Sequence, residues 1–438
     1  MEKKELKWSR RDFIGTLTAA GALMLAYGNG RGMAQSSASR MLDVAPNGPL
    51  LKVGLIGCGG RGTGAAMNFL AAGPNLEIAA LADTFQDRLN NARATVEERM
   101  GKKIPDGHCF VGFDGFKKVM DTDVEMVILA TPPHFRPEHF AAAVNAGKHV
   151  FMEKPVAVDP VGIRMIMETA DKATTLGLKV VTGTQRRHQH DYVETYKRIA
   201  DGAIGEIVAA RCYWNQGQLW YRERQEDWSD MEVMLRDWVN WCWLSGDHIV
   251  EQHVHNIDVI NWFTGMHPVK AVGFGARMRR VTGDQYDFFN IDFEMANGMH
   301  VHSMCRQIHG CANNVSEYIV GTKGSTNCRD TIYKEDGNIA WEYDSSIKEI
   351  TGDTPYVQEH IDLITAIRTN QPINEAKNTA ISTMTAIMGR QSAYTGREMA
   401  WDEMMASDMR LGPTEYAMGD VDLEAVIPVP GQDRPQGS

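Results

Sequence analysis

No Cys-x-x-Cys pair occurs in the 438-residue sequence, and its seven cysteines fall at irregular spacing. Neither a zinc site nor a disulfide framework is indicated, and an odd count fits reduced, buried thiols. His-Glu-x-x-His is also missing, which removes the commonest helical zinc signature. Basic charge is short: 45 lysines and arginines against 56 aspartates and glutamates leave a net charge of −11. Lys3, Lys4, Lys7, Arg10, Arg11 and Arg31 stand before Gln35, so the chain beyond is more acidic still. Such a surface repels phosphate backbones, and no basic stripe with interleaved aromatics appears, so nucleic acid is not an expected partner. Long apolar runs are scarce as well. Ile14–Tyr27 is the longest near the N-terminus, and Thr and Gly interrupt it. It is too short to span a bilayer comfortably, so no membrane anchor is expected in the mature form.

Around that run, the sequence carries an address. Ser9-Arg10-Arg11-Asp12-Phe13-Ile14 fits the twin-arginine export pattern, and Gly32-Met33-Ala34 supplies a small-residue cleavage site. Residues 1–34 therefore read as a signal for the twin-arginine translocase, with a periplasmic destination, and 35–50 as a linker. This pathway resembles one that carries folded proteins, so a cofactor loaded in the cytoplasm could travel inside, provided it is tightly bound.

From Leu51 the chain alternates strands and helices. Leu51–Ile56, Leu76–Ala82, Val124–Ala130 and His149–Met152 are continuous apolar runs separated by helical stretches, as in a doubly wound parallel sheet covered on both faces. Beyond Thr182 the pattern becomes longer alternating segments with hairpin turns, predicting an α+β domain with an open, mainly antiparallel sheet. The expected division is 51–182, 183–412 and a C-terminal tail at 413–438. The tail's end, from Ile427, is expected to be disordered.

Gly57-x-Gly59-x-x-Gly62 lies between the first strand and its helix. The first glycine permits a tight turn, the second a close backbone approach to a pyrophosphate, and the third helix–strand packing. The helix N-terminus then faces the phosphates. Asp83 ends the next strand at the distance expected of an acid that takes both ribose hydroxyls, which favours NAD over NADP. Gly60 lies in the same loop, and Arg61 is a candidate phosphate ligand.

"AGKHVFMEKPVAV", with Glu153-Lys154-Pro155 after the strand His149–Met152, resembles the Gfo/Idh/MocA oxidoreductases. "ATPPHFRPEHF" and "TGTQRRHQHDY" are similar to further segments of that family. The resemblance implies an N-terminal Rossmann domain, an open-sheet substrate domain, and an NAD-dependent oxidoreductase acting on CH–OH groups of a carbohydrate. A homo-oligomer is also expected. Thr131, Pro132, Glu153 and Lys154 would lie at the cofactor, and Gln185, Arg187, Tyr192, Trp214, His255 and Asp258 at the substrate. In "GDHIVEQHVHNIDVINW" His255 matches the family's catalytic histidine by register, and Glu251 stands where an aspartate is usual.

The chemistry agrees with that assignment. Alcohol oxidation needs a base near neutral pH, which His255 can be, and a donor for the developing alkoxide, which Lys154 can be. Four residues before His255, Glu251 would share its helical face and orient the ring. His248, Glu251, His255 and the His188-x-His190 pair could alternatively hold zinc, but the resemblance implies no metal. Trp214, Trp220, Tyr221, Trp228, Trp238, Trp241 and Trp243 crowd one stretch, where flat faces suit sugar C–H faces or core packing. Two other functions fit the same motifs: a redox-neutral NAD-dependent glycoside hydrolase working through a transient 3-keto sugar, and a non-catalytic sugar sensor.

Overall fold

The computed structural model describes residues 42–344, 355–421 and 425–432. The twin-arginine motif, its apolar run and residues 35–41 lie outside the described residues. Six strands form the first sheet: β1 (Leu51–Ile56), β2 (Leu76–Asp83), β3 (Cys109–Val111), β4 (Met126–Leu129), β5 (His149–Met152) and β6 (Val180–Thr182). They are parallel throughout, in the order β3-β2-β1-β4-β5-β6. Successive side chains feed opposite faces, as a pleated strand requires. Leu55, Ile128, Phe151 and Val181 pack with Phe69 on one face; Ile56, Leu129, Met152 and Val180 pack with Phe140 and Ile163 on the other.

The second sheet has nine strands in the order β14-β13-β12-β11-β7-β10-β9-β8-β15. Its members are β7 (Ile207–Gln216), β8 (Pro268–Ala276), β9 (Phe288–Met295), β10 (His300–Gln307), β11 (Asn314–Gly321), β12 (Gly324–Thr326), β13 (Thr331–Lys334), β14 (Ile339–Glu342) and β15 (Met399–Ala400). All neighbours are antiparallel except β7 and β10. Phe289, Ile291, Phe293 and Val301 point inward and are buried, while Val272 and Phe274 on the opposite face are exposed.

Two departures from the sequence expectation matter. The helix Pro355–Thr369 does not stay with the second sheet: its Val357, Ile361 and Ile364 complete the core around Leu55, Phe69 and Phe151 of the first. The C-terminal segment, expected to be disordered from Ile427, is docked over its described part. Tyr286 Oη donates to the Pro428 carbonyl at 2.7 Å and the Gly431 amide to Thr395 at 3.0 Å. Those contacts anchor backbone that composition alone would leave free. The cysteines are unpaired and only Cys311 is exposed. Among the described residues no helix is long and apolar enough to cross a membrane.

Candidate active site

The glycine loop is dictated by packing. Gly57 has φ of 96°, and a Cβ there would meet Ala130 backbone at 2.6 Å. At Gly62 a Cβ would lie 1.8 Å from the Gly57 carbonyl oxygen. Gly59 and Gly60 differ: nothing lies within 4 Å of a Cβ at either, because they face a cavity of about 680 Å³ lined also by Asp83, Thr131 and Pro132. A cradle closed by two glycines beneath and open through two glycines above fits a dinucleotide backbone. Asp83 sits at its rim, its two oxygens accepting from the Cys58 amide at 2.7 Å and the Phe85 amide at 2.8 Å. Burial raises its pKa, and those two amides oppose the rise.

Arg61 lines the same cavity, with its guanidinium already engaged. Its Nε donates to Glu153 at 2.5 Å and its guanidinium covers the Tyr356 ring at 4.8 Å. Glu359, from the same helix as Tyr356, is fully buried beside Glu153 with neither oxygen hydrogen-bonded. Burial, then the Glu153 charge, pushes its pKa well above the usual carboxyl range.

Lys154 follows β5 of the first sheet, and His255 lies on the helix Val254–Thr264 within reach of the Lys154 charge. Lys154 Nζ donates to the Glu251 backbone carbonyl and, at 3.0 Å, to the Glu251 carboxylate. The other Glu251 oxygen accepts from Gln252 at 2.7 Å. Glu251 thus holds the lysine and not the histidine ring, against the expectation from i,i+4 spacing. The physical reason is a break in the helix. His248–Glu251 and Val254–Thr264 are separate helices, and the His253 amide reaches back five residues to His248 at 3.1 Å. That π-type turn shifts the phase between residues 251 and 255.

The His255 ring stacks on Trp214, with centroids 5.6 Å apart and planes 24° from parallel. Among the described residues no group hydrogen-bonds this ring. Burial, then the charges of Lys154, Arg186 and Arg61, lower its pKa well below the ordinary imidazole value. At neutral pH the ring is uncharged and able to accept a proton.

The other substrate candidates are differently employed. Arg187 pairs with Asp258 through two bonds of 2.8 and 2.9 Å, and Ser382 also donates to Asp258 at 2.7 Å. Both charges are spent on each other. Tyr192 donates to Glu317 at 3.0 Å. Gln185 is buried, with its carbonyl oxygen unpartnered. Arg186, which the motif reading passed over, bonds to Glu317 and lies over Trp214 at 5.6 Å, forming the wall behind His255. The one legible signal was Glu317, a charge at the inward register position of β11 between Val315 and Ile319.

The zinc alternative finds no cluster: among the described residues no three His, Cys, Asp or Glu side chains converge as metal ligands. His248 hydrogen-bonds Asp247 at 3.0 Å. His188 lies between Asp362 at 2.6 Å and Glu375 at 3.1 Å. Burial works against the His188 charge, but those two carboxylates raise its pKa well above the ordinary value. It is a clamped cation.

A parallel-sheet dinucleotide domain that carries Lys154 just after β5, joined to an open-sheet domain whose helix Val254–Thr264 carries His255, defines a dehydrogenase-like architecture. Comparison with known proteins makes this specific. Residues 51–181 match the model of the oxidoreductase family NAD-binding Rossmann fold, and residues 192–327 that of the GFO/IDH/MocA C-terminal domain. The chain belongs to the Gfo/Idh/MocA oxidoreductase family, and its first domain binds NAD.

Among relatives, it is 27% identical over 250 residues to a glycosyl hydrolase family 109 protein of Solibacter usitatus, covering 53% of this chain and 52% of that one. To scyllo-inositol 2-dehydrogenase (NADP(+)) of Bacillus subtilis it is 25% identical over 245 residues, covering 56% and 60%. The chain therefore spans about half to three-fifths of these relatives. The fold is that of scyllo-inositol dehydrogenase from Lactobacillus casei, solved with NAD(H) and scyllo-inositol. The TM-score is 0.59 at 21% identity, with 80% of this chain and 99% of that one covered.

Proposed function

We propose that this chain oxidises a secondary alcohol of a cyclic polyol or sugar. The bound nicotinamide supplies the hydride acceptor. His255 takes the hydroxyl proton on its ring, and Lys154, oriented by Glu251, donates to the same oxygen as charge develops. Trp214 backs the ring and offers an aromatic face toward sugar C–H groups. The observation that carries this reading is the His255 ring: neutral, free of hydrogen bonds among the described residues, and under the Lys154 charge. Relatives named as inositol dehydrogenases support the polyol class.

A second reading is favoured by the glycosyl hydrolase relative: transient oxidation, elimination of the glycosidic group and re-reduction, with no net redox change. Purified protein given inositols, aldoses and aryl glycosides without added NAD separates the two. Keto product and reduced nicotinamide are expected from the free polyols and sugars. Aglycone release from the glycosides with no accumulated reduced nicotinamide overturns dehydrogenation in favour of hydrolysis.

We also propose export through the twin-arginine pathway, which the Ser9–Ile14 motif supports. Changing Arg10 and Arg11 together to lysine is expected to abolish periplasmic recovery. Unchanged fractionation would reject the assignment.

A further inference from the structure

The aromatic-rich excursion between β7 and the helix His248–Glu251 is not spent on the Lys154–His255 end. Trp214 stacks at His255, but Trp220, Arg222 and Trp238 line the same cavity as Gly59, Asp83 and Arg88. Trp220 and Trp238 meet edge to face, with centroids 6.2 Å apart, and the Arg222 guanidinium lies 5.3 Å over the Trp220 ring. Their backbone is held from within the excursion. Buried Asp237 accepts from the Arg222 amide at 2.7 Å and from Asn240 at 2.8 Å, and Asn240 also donates to the Trp220 carbonyl at 3.3 Å.

One side chain bolts this excursion to the first domain. Arg236 makes two bonds to Asp87, at 3.1 and 3.0 Å, and its guanidinium covers Phe85 at 4.1 Å. Phe85 and Asp87 directly follow Asp83, the ribose acid. The second domain therefore closes over the dinucleotide groove at its adenosine end, remote from the reacting alcohol.

We propose that Trp220, Trp238, Arg222 and Arg88 form a clamp on the adenosine half of the dinucleotide, with Arg236–Asp87 as its latch. The aromatic faces suit a flat nucleobase, and the guanidinium groups suit stacking on it and the anionic backbone beside it. A clamp supplied by the substrate domain makes release depend on opening the latch. The cofactor then stays bound between turnovers.

The test is displacement of bound NADH by excess NAD, followed by nicotinamide fluorescence, on the full chain. Trp220→Ala, Arg222→Ala and Arg236→Met are compared with wild type, with Gly62→Ala as the loop control. Trp220 is 40% exposed, so its truncation leaves the core intact, and the thermal midpoint of each cofactor-free variant checks this. Each clamp or latch variant is expected to release NADH about tenfold faster, the loss of one stacking or cation–π contact. Arg236→Lys is expected to recover part of the loss at Arg236→Met. Release within twofold of wild type in all three, with Gly62→Ala still defective, overturns the clamp and leaves the dinucleotide site standing. Wild-type NADH binding by Gly62→Ala would instead indict the loop itself.

Discussion

His255→Ala is expected to slow single-turnover reduction of bound NAD by ~10²–10⁴, the usual loss when a general base is removed. Lys154→Met should fall in the same range, and the double variant should be little worse than the poorer single, because both groups act on one oxygen. Cofactor content should stay at the wild-type level in all three, since the glycine cradle touches neither side chain. The pH profile adds a signed prediction. Burial and neighbouring cations hold the His255 pKa down, so the ring stays neutral into acid. The acidic limb of kcat/KM should then fall below the ordinary imidazole value of about 6.5. Removing the Lys154 charge should move that limb upward, because the cation is one of the forces lowering the pKa. Near-normal reduction by His255→Ala would return the base to an unassigned group. His188 is not a substitute, being held as a cation between Asp362 and Glu375.

The parts of this site carried by local pattern were legible in the sequence. Gly57 and Gly62 announce themselves because no other residue fits where a Cβ would strike backbone, and His149–Met152 was bounded correctly because its apolar run is continuous. Three-residue strands such as β3 and β6 carry too few positions for any period to show, and they emerge only from pairing with β2 and β5. The helix Pro355–Thr369 reads as amphipathic, but nothing local says that its apolar face belongs to the first domain. The spacing of Glu251 and His255 reads as one unbroken helix, and the turn at His253 interrupts it. The tryptophan-rich stretch was legible as aromatic and not as divided between two sites, since that division depends on where the excursion folds back.

Arg187→Met is expected to destabilise the protein by about 3–5 kcal/mol, the cost of leaving one member of a buried ion pair uncompensated. The motif reading placed both Arg187 and Asp258 at the substrate. In the structure their side chains are 9% and 2% exposed and bonded to each other, and the Arg187 guanidinium also covers Trp262 at 5.3 Å. The arginine's charge is consumed before a substrate arrives. Removing it leaves the buried Asp258 carboxylate with, among the described residues, the Ser382 hydroxyl at 2.7 Å as its remaining hydrogen-bond donor. Arg187→Met with Asp258→Asn should therefore be more stable than Arg187→Met alone, because no buried charge remains unpaired. A substrate contact gives the opposite signature: an unchanged thermal midpoint with a raised KM, made worse by the second substitution. Thermal unfolding, and KM measured well below the variant's midpoint, distinguish a brace beneath the active site from a residue inside it. A raised KM without loss of stability would move Arg187 back to the substrate.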